Sequence, residues 1–571
     1  MTHPTPRPLT ALLLTALAAA TASHAEPLPG EAELRVRVTV DAQTLTDRLD
    51  GHDAELAAQA GRLDAAERER AELRRAVAAL AQDAPPVDRD PTVTPDPPPL
   101  NTGANGFLSF PKAPDARTVY VAADGNDRNH GRTPDAPMRT AAAAYQRLRD
   151  GRPDRLLFRA GDTFNGGIGR LNKSGRSAEQ PLVIGVYGEG DRPRFAVGED
   201  AWASKWWNDD ADHVVFDGLH LVAELRRPGN AAEGMSPEAW RTPAFVLFGG
   251  STGITIHDCK LEYFHFAIVA QSNPDNGGIR DFTLHRNIVR DSYGHWNPEI
   301  AHHSSGLYAS YIDGLTITEN LFDRNGWHPD VDGAKATKFN HNLYIQDSCT
   351  GNTVVRGNVL SRASAHALQL RAGGVIDDNL FLDNPLAFFA GISPSRVTRN
   401  VVLGGRDIND DPGEDRGFGF DIQPMPDALI EGNIVTQKRA GSAGHAHAIK
   451  IDGSDGVHRK MLERHPGSRW AVTFRDNRVY DWPRNNGPTV WVESRGVPVE
   501  VTGIEQTAID EPSWADPGRD VESYMQTLGR PASVEAYLDL LTARPRGVWY
   551  GELAAAAVND YVRSGFASGG R

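Results

Sequence analysis

Seven short apolar runs carry an asparagine at one fixed place: LHRNIV at Asn287, ITENLF at Asn320, VRGNVL at Asn358, IDDNLF at Asn379, VTRNVV at Asn400, IEGNIV at Asn433 and FRDNRV at Asn477. Successive asparagines lie 33, 38, 21, 21, 33 and 44 residues apart. The value 21 occurs twice and nothing falls below it. That is the signature of a solenoid with a minimal rung of 21 residues and insertions of varying length. A single rung cannot bury its apolar side, so rungs must stack into one continuous core. Asparagines stacked at a corner can hydrogen-bond one another and the turn backbone, which predicts a ladder. Cys259 in IHDCKL takes the asparagine place, and Gly218 in FDGLHL is read as the same place one rung earlier. Cys259 is therefore expected to be a buried turn residue and not a nucleophile.

Around this repeat the chain divides into five parts: a signal peptide (1–25), an N-terminal segment with a coiled coil (26–83), a proline-rich linker (84–115), the solenoid (116–510) and a helical C-terminal cap (511–571). Arg7, the apolar stretch Leu9 to Ala20 and Ser23-His24-Ala25 have the order of an export signal, which predicts a periplasmic or secreted protein. No later stretch has the ~20 apolar residues of a membrane span. Leu45, Leu49, His52, Leu56, Gln59, Leu63, Ala66, Arg70, Leu73, Val77 and Leu80 alternate at steps of four and three. This seam predicts a coiled coil and hence a homo-oligomer. Seven prolines between residues 84 and 101 predict a stiff spacer. Tyr524, Tyr537, Trp549, Tyr561 and Phe566 are the expected anchors of a C-terminal tail covering the last rungs. A net charge of −15 argues against nucleic-acid binding. Two cysteines leave no disulfide framework.

The entry segment VYVAADGNDRNHGRTPDAPMRT (119–140), followed by FRAGDTF (158–164), resembles the opening of exported proteins of the pectin-lyase-like superfamily. The tail is similar to tails on exported proteins of this kind. The resemblance implies an all-β fold, a right-handed parallel β-helix. It leaves the reaction open, because the superfamily holds polysaccharide lyases, uronate epimerases, glycoside hydrolases and non-enzymatic adhesins.

The candidate site lies on the strands that precede each asparagine corner: SSGLYAS, HNLYIQ, HALQLR, LAFFAG, FGFDIQ, HAIKID and TVWVES. Alternation points Leu307, Leu343, Leu368 and Leu370 inward, and Tyr308, Tyr344, Gln369, Arg371, Asp421, Lys450, Asp452, Trp491 and Glu493 outward. One of Phe388 and Phe389 must face the core. Insertions at 292–303, 324–340 and 405–416 predict walls around a groove whose floor is the two minimal rungs. His302, His303, Lys335, Lys338, His341 and His366 add nitrogen groups there. A basic groove on an acidic body suits an acidic polysaccharide.

Abstraction of a uronate C5 proton needs a cation on the carboxylate, a base and an acid. His341, Tyr344, His366 and Arg371 are the expected catalytic set, with His303, Tyr308, Lys338, Gln369, Asp421 and Lys450 binding substrate. The parity of His341 and His366, at the very start of their strands, is open. The expected reaction is lyase chemistry. The alternatives are C5 epimerisation, glycoside hydrolysis through Asp421, Asp452 and Glu493, and a non-catalytic polysaccharide-binding or export scaffold. The DPHD-like element of alginate epimerases is absent. The residues fix no cofactor and leave Ca²⁺ open: DINDDPGEDR (407–416) has enough oxygen ligands for it but lacks the EF-hand order, which favours a flexible acidic loop.

Overall fold

The structure is a computed structural model that describes residues 100–230, 241–295, 303–405, 417–436, 447–482 and 488–568. The described residues all belong to one compact unit. The expected signal peptide and coiled coil, and all of the proline-rich stretch before residue 100, lie outside the described residues.

Strands from Thr118–Val121 to Ala508–Ile509 form three parallel sheets, in which each strand pairs with its equivalent one rung away. The fold is a parallel β-helix. A minimal rung shows the plan. Val375–Asp377 belongs to the first sheet, Leu380–Leu382 to the second and Leu386–Ala390 to the third, before Ser395–Thr398 opens the next rung. Val355, Ile376, Val397, Ile430 and Phe474 stack in the sealed core below the first sheet. At the N-terminal end, Ala141–Tyr145 buries Ala141, Ala144 and Tyr145 in the same core.

The corner between the first and second sheets carries the asparagine ladder. Asn358 donates from its backbone N (3.0 Å) and from Nδ2 (2.9 Å) to Asn379 Oδ1, and its Nδ2 also reaches Ile317 O at 2.9 Å. The pattern repeats through Asn287, Asn320, Asn379, Asn400, Asn433 and Asn477. Each asparagine follows a residue in the left-handed region, such as Asp378 (φ 51°) or Arg399 (φ 55°). Cys259 is sealed in the ladder as expected, its N donating to Asn287 Oδ1 at 2.9 Å. One rung earlier the expectation needs correction. Asp217 pairs with His257 and His220 with Lys260, so Leu219 holds the ladder place. Gly218, at φ 74°, belongs to the left-handed column one residue before it. A second ladder stands at the next corner, where Asn325 donates to Asn342 Oδ1 (2.9 Å) and Asn384 to Leu360 O (2.8 Å).

The C-terminal tail also departs from expectation. Its helices Val521–Thr527, Val534–Thr542 and Ala555–Gly565 do not close the end of the solenoid. They lie along the outer face of the second sheet, where Met525, Tyr537, Leu538 and Val558 join Leu321, Leu380, Val401 and Ile434 in one apolar cluster. Polar contacts pin the tail at intervals. Buried Asp258 accepts from Arg544 (2.9 Å) and from Gly547 N (2.7 Å), and Asn559 donates to Asp378 Oδ1 (2.9 Å). Trp514 and Phe566 meet Tyr480 near the last rungs. The final strands Val490–Glu493 and Val499–Thr502 stay at sheet ends, and Val492 is 37% exposed.

Residues 100–110, the end of the proline-rich stretch, pack on the first sheet. His257 accepts from Leu108 N (3.2 Å), His285 bonds Gly106 O (3.0 Å), and Arg286 lies over Phe107. Among the described residues no helix is long and apolar enough to cross a membrane.

Candidate active site on the third sheet

Register turns the third sheet into columns. Val269, Tyr308, Tyr344, Gln369, Phe389, Asp421, Lys450 and Trp491 stand in one outward row, a single residue per rung. Two residues further along the strands a second row holds Gln271, Ser310, Gln346, Arg371, Gln423, Asp452 and Glu493. Between the rows Leu370, Ala390, Ile422 and Ile451 fill the core.

The strand starts break this alternation and settle the parity of the histidines. Gly306, Asn342, Ala367, Ala387, Gly419 and Ala448 share one level, which is small or asparagine in every rung. A Cβ on Gly419 would lie 2.0 Å from Ala448 O, which leaves no room for a side chain there, and Asn342 and Leu343 are buried in succession, so the alternation breaks in a bend at this level. The residue before the bend turns outward again. His341 and His366 therefore meet with ring centroids 5.1 Å apart, and His341 stands 5.0 Å from the Tyr344 ring. Tyr308 touches Tyr344 edge-on at 5.5 Å, and the Arg371 guanidinium lies 5.5 Å over the Tyr344 ring. All four expected catalytic residues thus share one patch on two adjacent rungs, with Tyr308 and Gln369 bordering it. Phe388 is sealed inside, stacked on Phe420, while Phe389 faces out toward His366.

Arg371 makes no ion pair among the described residues, and its Nε is buried without a hydrogen-bond partner. It opens into a pocket of about 210 Å³ shared with Phe389, Asp347, Ser454, Val457 and Lys460. One wall of that pocket comes from an element the sequence reading missed, the helix Asp455–Arg464. It lies beyond the C-terminal ends of the strands, opposite the expected insertions, and Lys460 ties it to Asp347. Its signal was present: Ser454 before it, Val457 and Met461 four apart, and Pro466-Gly467 after it.

The other expected residues form two further groups. His303 and Lys338 gather on Phe339 in the insertion before His341, with His303 5.3 Å from the ring and the Lys338 ammonium at the same distance. Phe339 is 46% exposed. His302 lies outside the described residues, as do parts of the expected walls, 296–302 and 406–416. Asp421 and Lys450 pair in register two and three rungs beyond Gln369. Lys450 sits between the Phe418 and Trp491 rings and holds Asp452 at 2.7 Å; Arg495 reaches Asp452 from the other side at 3.0 Å. His447 and Trp491 are in ring contact at 4.2 Å. Burial pushes the Asp421 carboxyl up to about 7, against the pull of Lys450, and neighbouring Asp452 adds to the rise. Among the described residues no group of three or more His, Cys, Asp or Glu is placed to hold a metal ion. The loop 407–416 expected for Ca²⁺ is not among them.

No family model matches this chain, and no curated protein does. Solved structures do. A pectate lyase aligns over 73% of this chain and 86% of its own at 14% identity, with a TM-score of 0.36. A periplasmic alginate epimerase aligns over 63% and 79% at 13% identity, also at 0.36. A lacto-N-biosidase from Eubacterium ramulus aligns over 69% and 68% at 12% identity, again at 0.36. All three scores lie below 0.5, and the three activities differ. Fold and site stand on the strand register and side-chain geometry of this chain.

Proposed function

We propose that this chain is an exported lyase acting on an acidic, uronate-containing polysaccharide laid along the outer face of the third sheet. The observation that supports it is Arg371, a guanidinium without a carboxylate partner among the described residues, set over Tyr344 and beside the His341–His366 pair. In this reading Arg371 takes the uronate carboxylate in a bidentate grip and stabilises the charge that builds when the C5 proton leaves. Tyr344, His341 and His366 supply base and acid. The C5–H electrons form the C4–C5 double bond, the C4–O bond breaks, and the departing sugar oxygen takes a proton from the acid. Return of a proton to the opposite face of C5 would make the same site an epimerase.

A second reading has its own support. Asp421, its carboxyl pushed up to about 7 by burial, beside a second carboxylate at Asp452 is the kind of pair a glycoside hydrolase uses. Its weakness is that Asp452 is buried and already held by Lys450 and Arg495.

The test is a screen of polygalacturonate and alginate for unsaturated ends, then three variants. Tyr344→Phe should lower turnover about 10²- to 10⁴-fold while sparing polymer binding. Arg371→Ala should weaken binding and turnover together. Asp452→Asn should be mild. A fully active Tyr344→Phe with a dead Asp452→Asn, and reducing ends without unsaturation, would move the assignment to hydrolysis. Tight binding with no product from any variant or parent would make the chain a scaffold.

A further inference from the structure

Among the described residues, the largest aromatic exposure lies on the third sheet, well away from the site above. Trp206 is 48% exposed and Trp207 37%, and both rest on Phe248. The Trp207 and Phe248 rings are stacked, 5.7 Å apart at 9°. The cluster is held in place. Asp209 accepts from Trp206 N at 3.0 Å and is itself clamped by Arg170. Gly249 has φ 88°, and a Cβ there would lie 2.9 Å from Trp207 Cα, so only glycine lets Trp207 settle against this strand. Exposing two tryptophans on a pinned turn does not serve the core, and such a patch marks a binding surface.

Register says which surface. Phe248 pairs with Gln271 and Gln271 with Ser310; Gln346 and Arg371 follow in the same outward row. Four strand steps at ~4.8 Å put the cluster ~19 Å from Arg371 on the same face. The rungs between carry Phe266 and Tyr308, in edge contact at 6.3 Å, and then Tyr344. These rings lie on the same face as the tryptophans but two to five residues nearer the strand starts, and Gln271, Ser310 and Gln346 stand between Phe248 and Arg371. Beside the tryptophans Arg170 is paired with Asp209, and Asp210 is exposed.

We infer that Trp206, Trp207 and Phe248 form a distal sugar-stacking subsite, which holds a pyranose ring of the polysaccharide by its apolar face, whatever its charge, while Arg371 holds a carboxylate several sugars away. This rests on the polysaccharide reading of the site. The subsite makes affinity depend on chain length: an oligosaccharide too short to reach both ends gains nothing from the tryptophans.

The experiment uses the full chain and a ladder of oligogalacturonates and oligoalginates from dimer to polymer. Trp206→Ala/Trp207→Ala should weaken binding of long chains by about tenfold, the scale of losing aromatic contacts worth ~1–1.5 kcal/mol. Binding of the shortest chains that bind should be unchanged, as should kcat on long ones. Trp206→Phe/Trp207→Phe should retain most of the long-chain affinity, which separates loss of stacking from loss of folding. Equal weakening at every chain length, or none at any, overturns the subsite while leaving the lyase reading intact. Loss of a dimer in light scattering with unchanged polymer affinity overturns it in favour of self-association. A parent that binds no member of either ladder removes the polysaccharide reading, and the subsite with it.

Discussion

Asp421 stands in the outward row between Phe389 and Lys450, and burial raises its carboxyl to about 7 from the ordinary 3.8. Below about pH 7 it is neutral and tolerates a polyanion; above that it becomes a negative charge in the groove proposed to take carboxylates. Affinity for polygalacturonate should fall as pH rises through 7, and in Asp421→Asn the fall should flatten when dissociation constants are measured across that range. Stability follows the same proton. The folded chain binds more protons than the unfolded one between 3.8 and about 7, so this group costs stability progressively as pH rises through that window. Urea midpoints of the Asn variant should lack that component.

Asn379 makes the complementary case. Its Oδ1 accepts from Asn358 N and Nδ2, and its Nδ2 donates to Val355 O and Asn400 Oδ1. Asn379→Leu strands buried groups at ~1–3 kcal/mol each, and a thermal melt should drop by several degrees. This asparagine was legible from sequence because turn chemistry fixes it at one place in every rung. Leu219 was not, since without an asparagine only strand register separates it from Gly218.

At the scale of elements, the third sheet explains why the site was half legible. Tyr344, Gln369 and Arg371 follow simple alternation from Leu343 and Leu368, so their outward direction could be read. His341 and His366 lie before a bend whose only trace is a small residue or asparagine at one level, and periodicity stops there. The tail was legible as helices but not as to where they dock. Its apolar stripe says that something must be covered and not which surface. The answer lay in the second sheet, where LFL at Leu380–Leu382 and VVL at Val401–Leu403 do not alternate. Continuous apolar runs belong to strands buried on both faces. Removal of residues 516–571 should uncover Leu380, Leu382 and Val401. The expected outcome is aggregation in light scattering and a lower melting temperature in a chain whose asparagine ladder is otherwise intact.

Across the whole molecule, the tail reaches from Asp258 and Arg286 to Tyr480, crossing the edges of many rungs. A bare stack of repeats is held by nearest neighbours alone, so its ends can open one repeat at a time while the middle stays closed. A strap fastened at both ends changes that arithmetic. Opening one rung beneath it means lifting helices that also lie on its neighbours, so local openings become expensive and merge into larger cooperative ones. Amide exchange under the strap should therefore approach a common slow rate, while Val490–Glu493 and Val499–Thr502 exchange early. A protease meeting this protein would find one weak end and a long resistant middle.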